Sequence, residues 1–204
     1  EVDNSIGKIL NILDEKNIAE NTLIIFTSDN GSHWMKSDID SFEHHANHIF
    51  SGMKSDVWEG GHRVPFLARW PEKIKSNSHS NEVVCLTDLM ATCAAITNQN
   101  LPENAGEDSY NILPALMNEN IEKSIRHHTI HHSISGKFAI RKGKWKYINA
   151  KGSGGWSKKG KEDDPVGQLY DMDNDPSEKV NLFEEYPEIV EGLSRILSEY
   201  EMLN

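Results

Sequence analysis

Leu23-Ile24-Ile25-Phe26-Thr27-Ser28-Asp29-Asn30-Gly31 is the stretch on which the fold turns. Its apolar run has no polar alternation, the pattern of a central parallel strand buried on both faces. The run stops abruptly at Ser28, and Asp29 and Asn30 stand at its tip. Gly31 lets the backbone turn tightly behind them. Upstream, Val2, Ile6, Ile9, Leu10 and Leu13 recur at the spacing of one helix face. Helix, buried strand and polar tip together predict an α/β sheet, where ligands gather beyond the carboxyl ends of strands.

Residues 32–62 are rich in His, broken by Gly and nearly aperiodic, and so long a connection is either functional or disordered. Residues 64–71 read as a second strand, with Pro65 placing it at an edge or a strand start. Thr87 or Asp88 caps a helix that runs to about Ile96. The composition shifts to Asn, Glu, Gly and Pro over 97–108, which divides the chain into 1–97 and 98–204. Beyond that point strands are predicted over 127–134, 137–141, 144–148 and 168–172. Ser135-Gly136 and Lys142-Gly143 turn them into an antiparallel meander. Residues 152–164 form a Gly/Lys/Asp excursion expected to be mobile. A last helix has Pro187 in its first turn and Ile189, Leu193, Ile196, Leu197 and Tyr200 on one face. The second part is thus a small α+β unit.

Composition narrows the function. Among 204 residues, 21 Lys and Arg face 32 Asp and Glu, a net charge of −11 that repels phosphate backbones and excludes a nucleic-acid partner. No apolar run approaches the roughly 18–20 residues of a membrane span. Cys85 and Cys93 lack zinc spacing and read as two small buried side chains on one helix. Their separation there, about 12 Å between Cα atoms, is beyond disulfide reach. The chain opens at Glu1 inside a helical pattern, without Met or a signal sequence, as a fragment would.

Asp29 and Asn30 offer a carboxylate and an amide carbonyl, oxygen donors suited to a hard cation such as Ca²⁺ or Mg²⁺. The same Asp-Asn-Gly is also a common turn. Lys54 would stabilise charge on an anionic oxygen if it lay near that cation; otherwise it is a solvated loop lysine. The ten histidines include His33, the group His44, His45 and His48, and the group His127, His128, His131 and His132. On a strand, His127 and His131 point opposite to His128 and His132. No nucleophile elbow or phosphate-cradling loop is present.

Read together, these segments resemble the sulfatase family of the alkaline-phosphatase superfamily. Asn21 to Gly31 is similar to the family's second metal-binding strand. Lys54 with Glu59-Gly60-Gly61-His62-Arg63-Val64-Pro65 resembles its Lys-x-x-x-x-Glu-Gly-Gly-x-Arg-x-Pro block. Gly143-Lys144-Trp145-Lys146-Tyr147, Leu169-Tyr170-Asp171 and Asp175-Pro176-Ser177-Glu178 resemble the C-terminal subdomain. The resemblance implies the back half of a sulfatase α/β domain followed by that subdomain. It further implies hydrolysis of sulfate esters, on sulfated glycans or aryl sulfates, by a Ca²⁺-assisted formylglycine. Carried over residue by residue, Asp29 and Asn30 take the metal-ligand role and Lys54 contacts sulfate and leaving oxygen. His131 or His132 reaches substrate, His33 is a further substrate-contact candidate, and His62 and Arg63 receive no role.

The family's Cys/Ser-x-Pro-Ser-Arg motif is absent, since Cys85 is followed by Leu-Thr-Asp and Cys93 by Ala-Ala-Ile. The nucleophile and the first-strand Asp pair are therefore expected upstream of Glu1, and the chain alone is expected to be inactive. A sheet cut in this way would expose an edge and self-associate. Location follows the family's habit, periplasmic or secreted. The alternatives are a phosphodiester or phosphonate hydrolase of the same superfamily, against which Asn30 speaks, and a non-catalytic binding module.

Overall fold

The structure is a computed structural model and describes residues 1–119 and 121–203. In chain order its elements are α1 (Val2–Glu15), β1 (Ile24–Thr27), α2 (Lys36–Phe42), α3 (Glu59–His62), β2 (Phe66–Arg69), a 3-10 turn (Leu86–Asp88), α4 (Leu89–Ile96), α5 (Leu113–Leu116), β3 (Thr129–His132), β4 (Phe138–Lys142), β5 (Trp145–Ile148), β6 (Gln168–Asp171) and α6 (Pro187–Leu203). They form an α/β fold in two compact units, each built from two chain segments. One comprises Glu1–Thr27 and Pro65–Arg126, the other Ser28–Val64 and His127–Asn204.

In the first unit, β1 pairs with β2 antiparallel, Ile24 opposite Arg69 and Thr27 opposite Phe66. The parallel neighbour predicted for this run is corrected. β1 is also half-buried along its length, not buried on both faces as its apolar run predicts, and such a run carries no information on the direction of the strand beside it. β2 begins directly after Pro65, where a missing N–H costs the ladder nothing. Asp88 is the N-cap residue of α4, but its buried carboxylate serves other groups. It accepts the N–H of Cys85 at 2.7 Å and that of Tyr110 at 2.9 Å, and it pairs with Arg126. The cysteines do not share a helix: Cys85 precedes the 3-10 turn and is half-buried, while Cys93 lies in α4 and is exposed.

In the second unit the meander forms as predicted, in the order β3-β4-β5-β6 with all pairs antiparallel. Alternation gives the sheet two packed faces. Ile140, Tyr147 and Leu169 meet Leu193 and Leu197 of α6 on one side. Ala139, Ile148 and Tyr170 meet Val57, Ala150 and Met172 on the other. The excursion 152–164, predicted to be loose, is tied down instead. Gly152 bridges Lys159, Ser153 is fully buried, and the Ser153 carbonyl accepts the N–H of Val57 at 2.9 Å.

Candidate functional site

All the sequence-predicted site residues fall in the second unit. Residues following β1 run as a short extended segment against the loop 51–61. Gly31 N–H donates to the Gly61 carbonyl at 2.9 Å, and Lys54 N–H donates to the Ser32 carbonyl at 3.0 Å. Asn47 locks the junction, accepting from Ser32 N–H at 3.2 Å and donating Nδ2 to the carbonyls of Ser32 and Gly52 at 3.3 and 3.1 Å. The approach is so close that a Cβ on Gly31 would stand 1.9 Å from the Gly60 carbonyl oxygen. Glycines at 31, 60 and 61 are therefore a packing requirement for bringing the Asp29-Asn30 segment to the Lys54 loop.

This backbone frame leaves the polar side chains of interest unspent. Asp29 is exposed and Lys54 half-buried, and neither has a side-chain hydrogen bond or ion pair among the described residues. Asn30 donates Nδ2 to the Gly31 carbonyl at 3.1 Å, which orients its amide and leaves Oδ1 as the accessible acceptor. The resulting donor pair is all oxygen, the chemistry that Ca²⁺ prefers. Among the described residues, no three His, Cys, Asp or Glu side chains converge as a metal cage.

The Lys54 loop is also fastened to residues 153–157. Asp56 accepts Met53 N–H at 2.8 Å and Ser157 N–H at 3.2 Å, and takes the Ser157 hydroxyl as well. Trp156 N–H donates to Ser55 Oγ at 3.1 Å. His33 stands near this seam, its ring perpendicular to the exposed Trp156 with 5.4 Å between centroids.

Beneath the loop lies a buried charge cluster. Lys146 of β5 is inaccessible to solvent, with Nζ 3.0 Å from Glu59 Oε1 and 2.8 Å from Glu178 Oε1. Glu178 Oε2 accepts the N–H of Glu59 at 2.6 Å. Arg63 and His62 pair with Glu59 at 2.7 and 3.2 Å. Burial alone would push the Glu59 carboxyl up, but Lys146, His62 and Arg63 together hold it far below the usual carboxylate range. Glu178 goes the other way, because its burial outweighs the pull of Lys146.

The strand alternation separates the C-terminal histidines. His131 faces this cluster, its ring 3.6 Å from that of His62, whereas His132 lies on the α6 side against Phe138. Burial, with Lys146 nearby, pulls His62 down to about 4, and burial with His62 nearby pulls His131 well below its ordinary value. Both rings are neutral at pH 7. His62 Nε2 faces the Glu59 carboxylate and His131 Nε2 faces the Val57 carbonyl at 3.1 Å, so Nε2 carries the proton in each. His62 Nδ1 is buried with no hydrogen-bond partner among the described residues.

Sequence reasoning missed Lys146, Glu178 and Asp56. A signal existed for Lys146, since period-2 alternation in Trp145-Lys146-Tyr147-Ile148 puts it on the same face as Ile148.

The Sulfatase family model matches residues 1–99, and that described as N-sulphoglucosamine sulphohydrolase, C-terminal, matches 52–202. An N-acetylgalactosamine-6-O-sulfatase of Bacteroides thetaiotaomicron is 37% identical over 97% of the chain and 40% of the relative. A human N-acetylgalactosamine-6-sulfatase is 35% identical over 57% of the chain and 22% of the relative. A solved structure from work on metabolism of multiple glycosaminoglycans by Bacteroides thetaiotaomicron superposes with a TM-score of 0.84 at 32% identity. It covers 98% of this chain and 43% of that one. Ps i-CgsB in complex with k-i-k-neocarrahexaose gives 0.76 at 29% identity, over 98% and 40%. The chain therefore spans well under half the length of these relatives.

Proposed function

The chain belongs to the sulfatase family, and from that footing we propose that it forms the C-terminal part of an enzyme hydrolysing sulfate esters of a sulfated glycan. The observation that supports this most is the pairing of the Asp29-Asn30 segment with the Lys54 loop, which leaves the Asp29 and Lys54 side chains without a hydrogen bond or ion pair among the described residues. In this reading residues 1–97 complete the catalytic α/β domain and 98–204 are the C-terminal subdomain. Asp29 and Asn30 hold Ca²⁺, with Mg²⁺ as the second candidate, and such a cation would neutralise and orient the sulfate. The formylglycine nucleophile and the remaining ligands lie outside these 204 residues, so the chain alone is inactive. Lys54 presents a fixed ammonium to the ester oxygen that takes up charge as its bond to sulfur breaks. Neutral His131, on the face of β3 beside the Lys54 loop, suits a hydrogen-bonding role; His132 does not share that face. The location is periplasmic or secreted, and among the described residues no helix is long and apolar enough to cross a membrane.

The test uses the full-length protein. Lys54→Ala is expected to lower kcat for sulfate release from N-acetylgalactosamine 6-sulfate by about 10²–10³-fold, the cost of losing one preorganised charge-stabilising donor. An unchanged kcat would remove Lys54 from the chemistry.

A further inference from the structure

We propose that Trp156, held beside His33, is a platform for a sugar ring of the substrate. The proposal rests on the sulfatase reading and names a substrate contact that the reading leaves open. Trp156 is a large aromatic left 48% exposed. Its position is not that of a slack loop. Its own N–H is bonded to Ser55 Oγ, Ser157 is bonded twice to Asp56, and Ser153 Oγ accepts the N–H groups of Gly155 and Lys158, both at 3.2 Å. A Cβ on Gly155 would lie 2.4 Å from Asp56 Oδ1 and 2.5 Å from the Ser55 carbonyl oxygen, so the two loops are in direct backbone contact.

Ser55 follows Lys54 in the chain, and the backbone of Trp156 is thereby fixed relative to that of the proposed catalytic lysine. A rigidly mounted aromatic carries little ordering cost when a ligand packs on it. An indole surface suits the apolar C–H face of a pyranose, and its perpendicular contact with His33 keeps the ring in place.

Two substrates separate the platform from the chemistry in the full-length enzyme: N-acetylgalactosamine 6-sulfate and a simple alkyl sulfate that has no ring. Trp156→Ala is expected to raise KM for the sulfated sugar about tenfold at unchanged kcat, to leave alkyl sulfate kinetics alone, and to be largely rescued by Trp156→Phe. Unchanged KM for the sugar overturns the platform. So does an equal loss on both substrates, which would make Trp156 a packing support for the Lys54 loop. If Trp156→Ala does not fold, Trp156→Leu, which keeps the apolar bulk without the π face, is read the same way. Should the unmodified enzyme release no sulfate from either ester, the sulfatase reading fails by itself. Calorimetric titration with the sulfated sugar then decides the platform: about tenfold weaker binding by Trp156→Ala supports it, and equal binding overturns it.

Discussion

Replacing Lys146 by Met tests the charge cluster that seats the Lys54 loop on the sheet. Lys146 is fully enclosed between Glu59, at 3.0 Å, and Glu178, at 2.8 Å. Met fills similar volume, so the packing loss is small and the change is electrostatic. Two buried carboxylates then face each other, Glu59 keeping Arg63 and His62 while Glu178 keeps no cation among the described residues. Removing one partner of a buried ion pair costs about 3–5 kcal/mol. The measurement is urea unfolding of the full-length protein followed by circular dichroism, with Lys146→Met and Glu178→Gln made singly and together. Because Glu178 is the carboxylate already pushed toward its neutral form, the double variant should recover at least about 1 kcal/mol of the loss, which is the coupling between neighbours. A single variant within about 1 kcal/mol of the parent, or a double variant with strictly additive losses, refutes the reasoning.

Two further predictions follow from the same region. The folded His62 titrates near 4 and His131 well below its ordinary value, against about 6.5 unfolded, so between about pH 6.5 and 4 the unfolded chain binds more protons and stability falls as pH falls. Tm should drop from pH 7 to pH 5, less steeply in His131→Asn; a flat profile contradicts the neutral pair. Gly31→Ala puts a methyl group into the Gly60 carbonyl, so the Gly31–Gly61 hydrogen bond must break. Sulfate release by the full-length protein should fall at least about tenfold, with loss of about 1–3 kcal/mol of stability.

Local pattern was legible in the sequence wherever one element decides it. The α6 stripe, the β3–β6 meander and the Ser135-Gly136 and Lys142-Gly143 turns appear where spacing and turn chemistry put them. The Leu23–Thr27 run announced a strand, but not that β2 would lie antiparallel to it, because strand direction is decided by the connection and not by side-chain pattern. Asp29, Asn30 and Lys54 could be singled out as chemistry-bearing types on sequence grounds. What joins them, the pairing of Gly31 with Gly61 and Ser32 with Lys54, is backbone hydrogen bonding and carries no side-chain signature beyond the glycines. The Lys146-Glu59-Glu178 cluster spans three distant segments, and no local window holds its members together. Residues 152–164 looked loose because Gly and Lys dominate them; Asp56 and Ser153 supply the bonds that order them.

The central claim is tested most directly by offering the full-length protein matched sulfate and phosphate esters of the same sugar, N-acetylgalactosamine 6-sulfate and 6-phosphate, and measuring the inorganic anion released with and without Ca²⁺. The account predicts Ca²⁺-dependent sulfate release that is lost in Asp29→Ala and Lys54→Ala, with little phosphate. Phosphate release without sulfate release, or sulfate release indifferent to both substitutions, would contradict it.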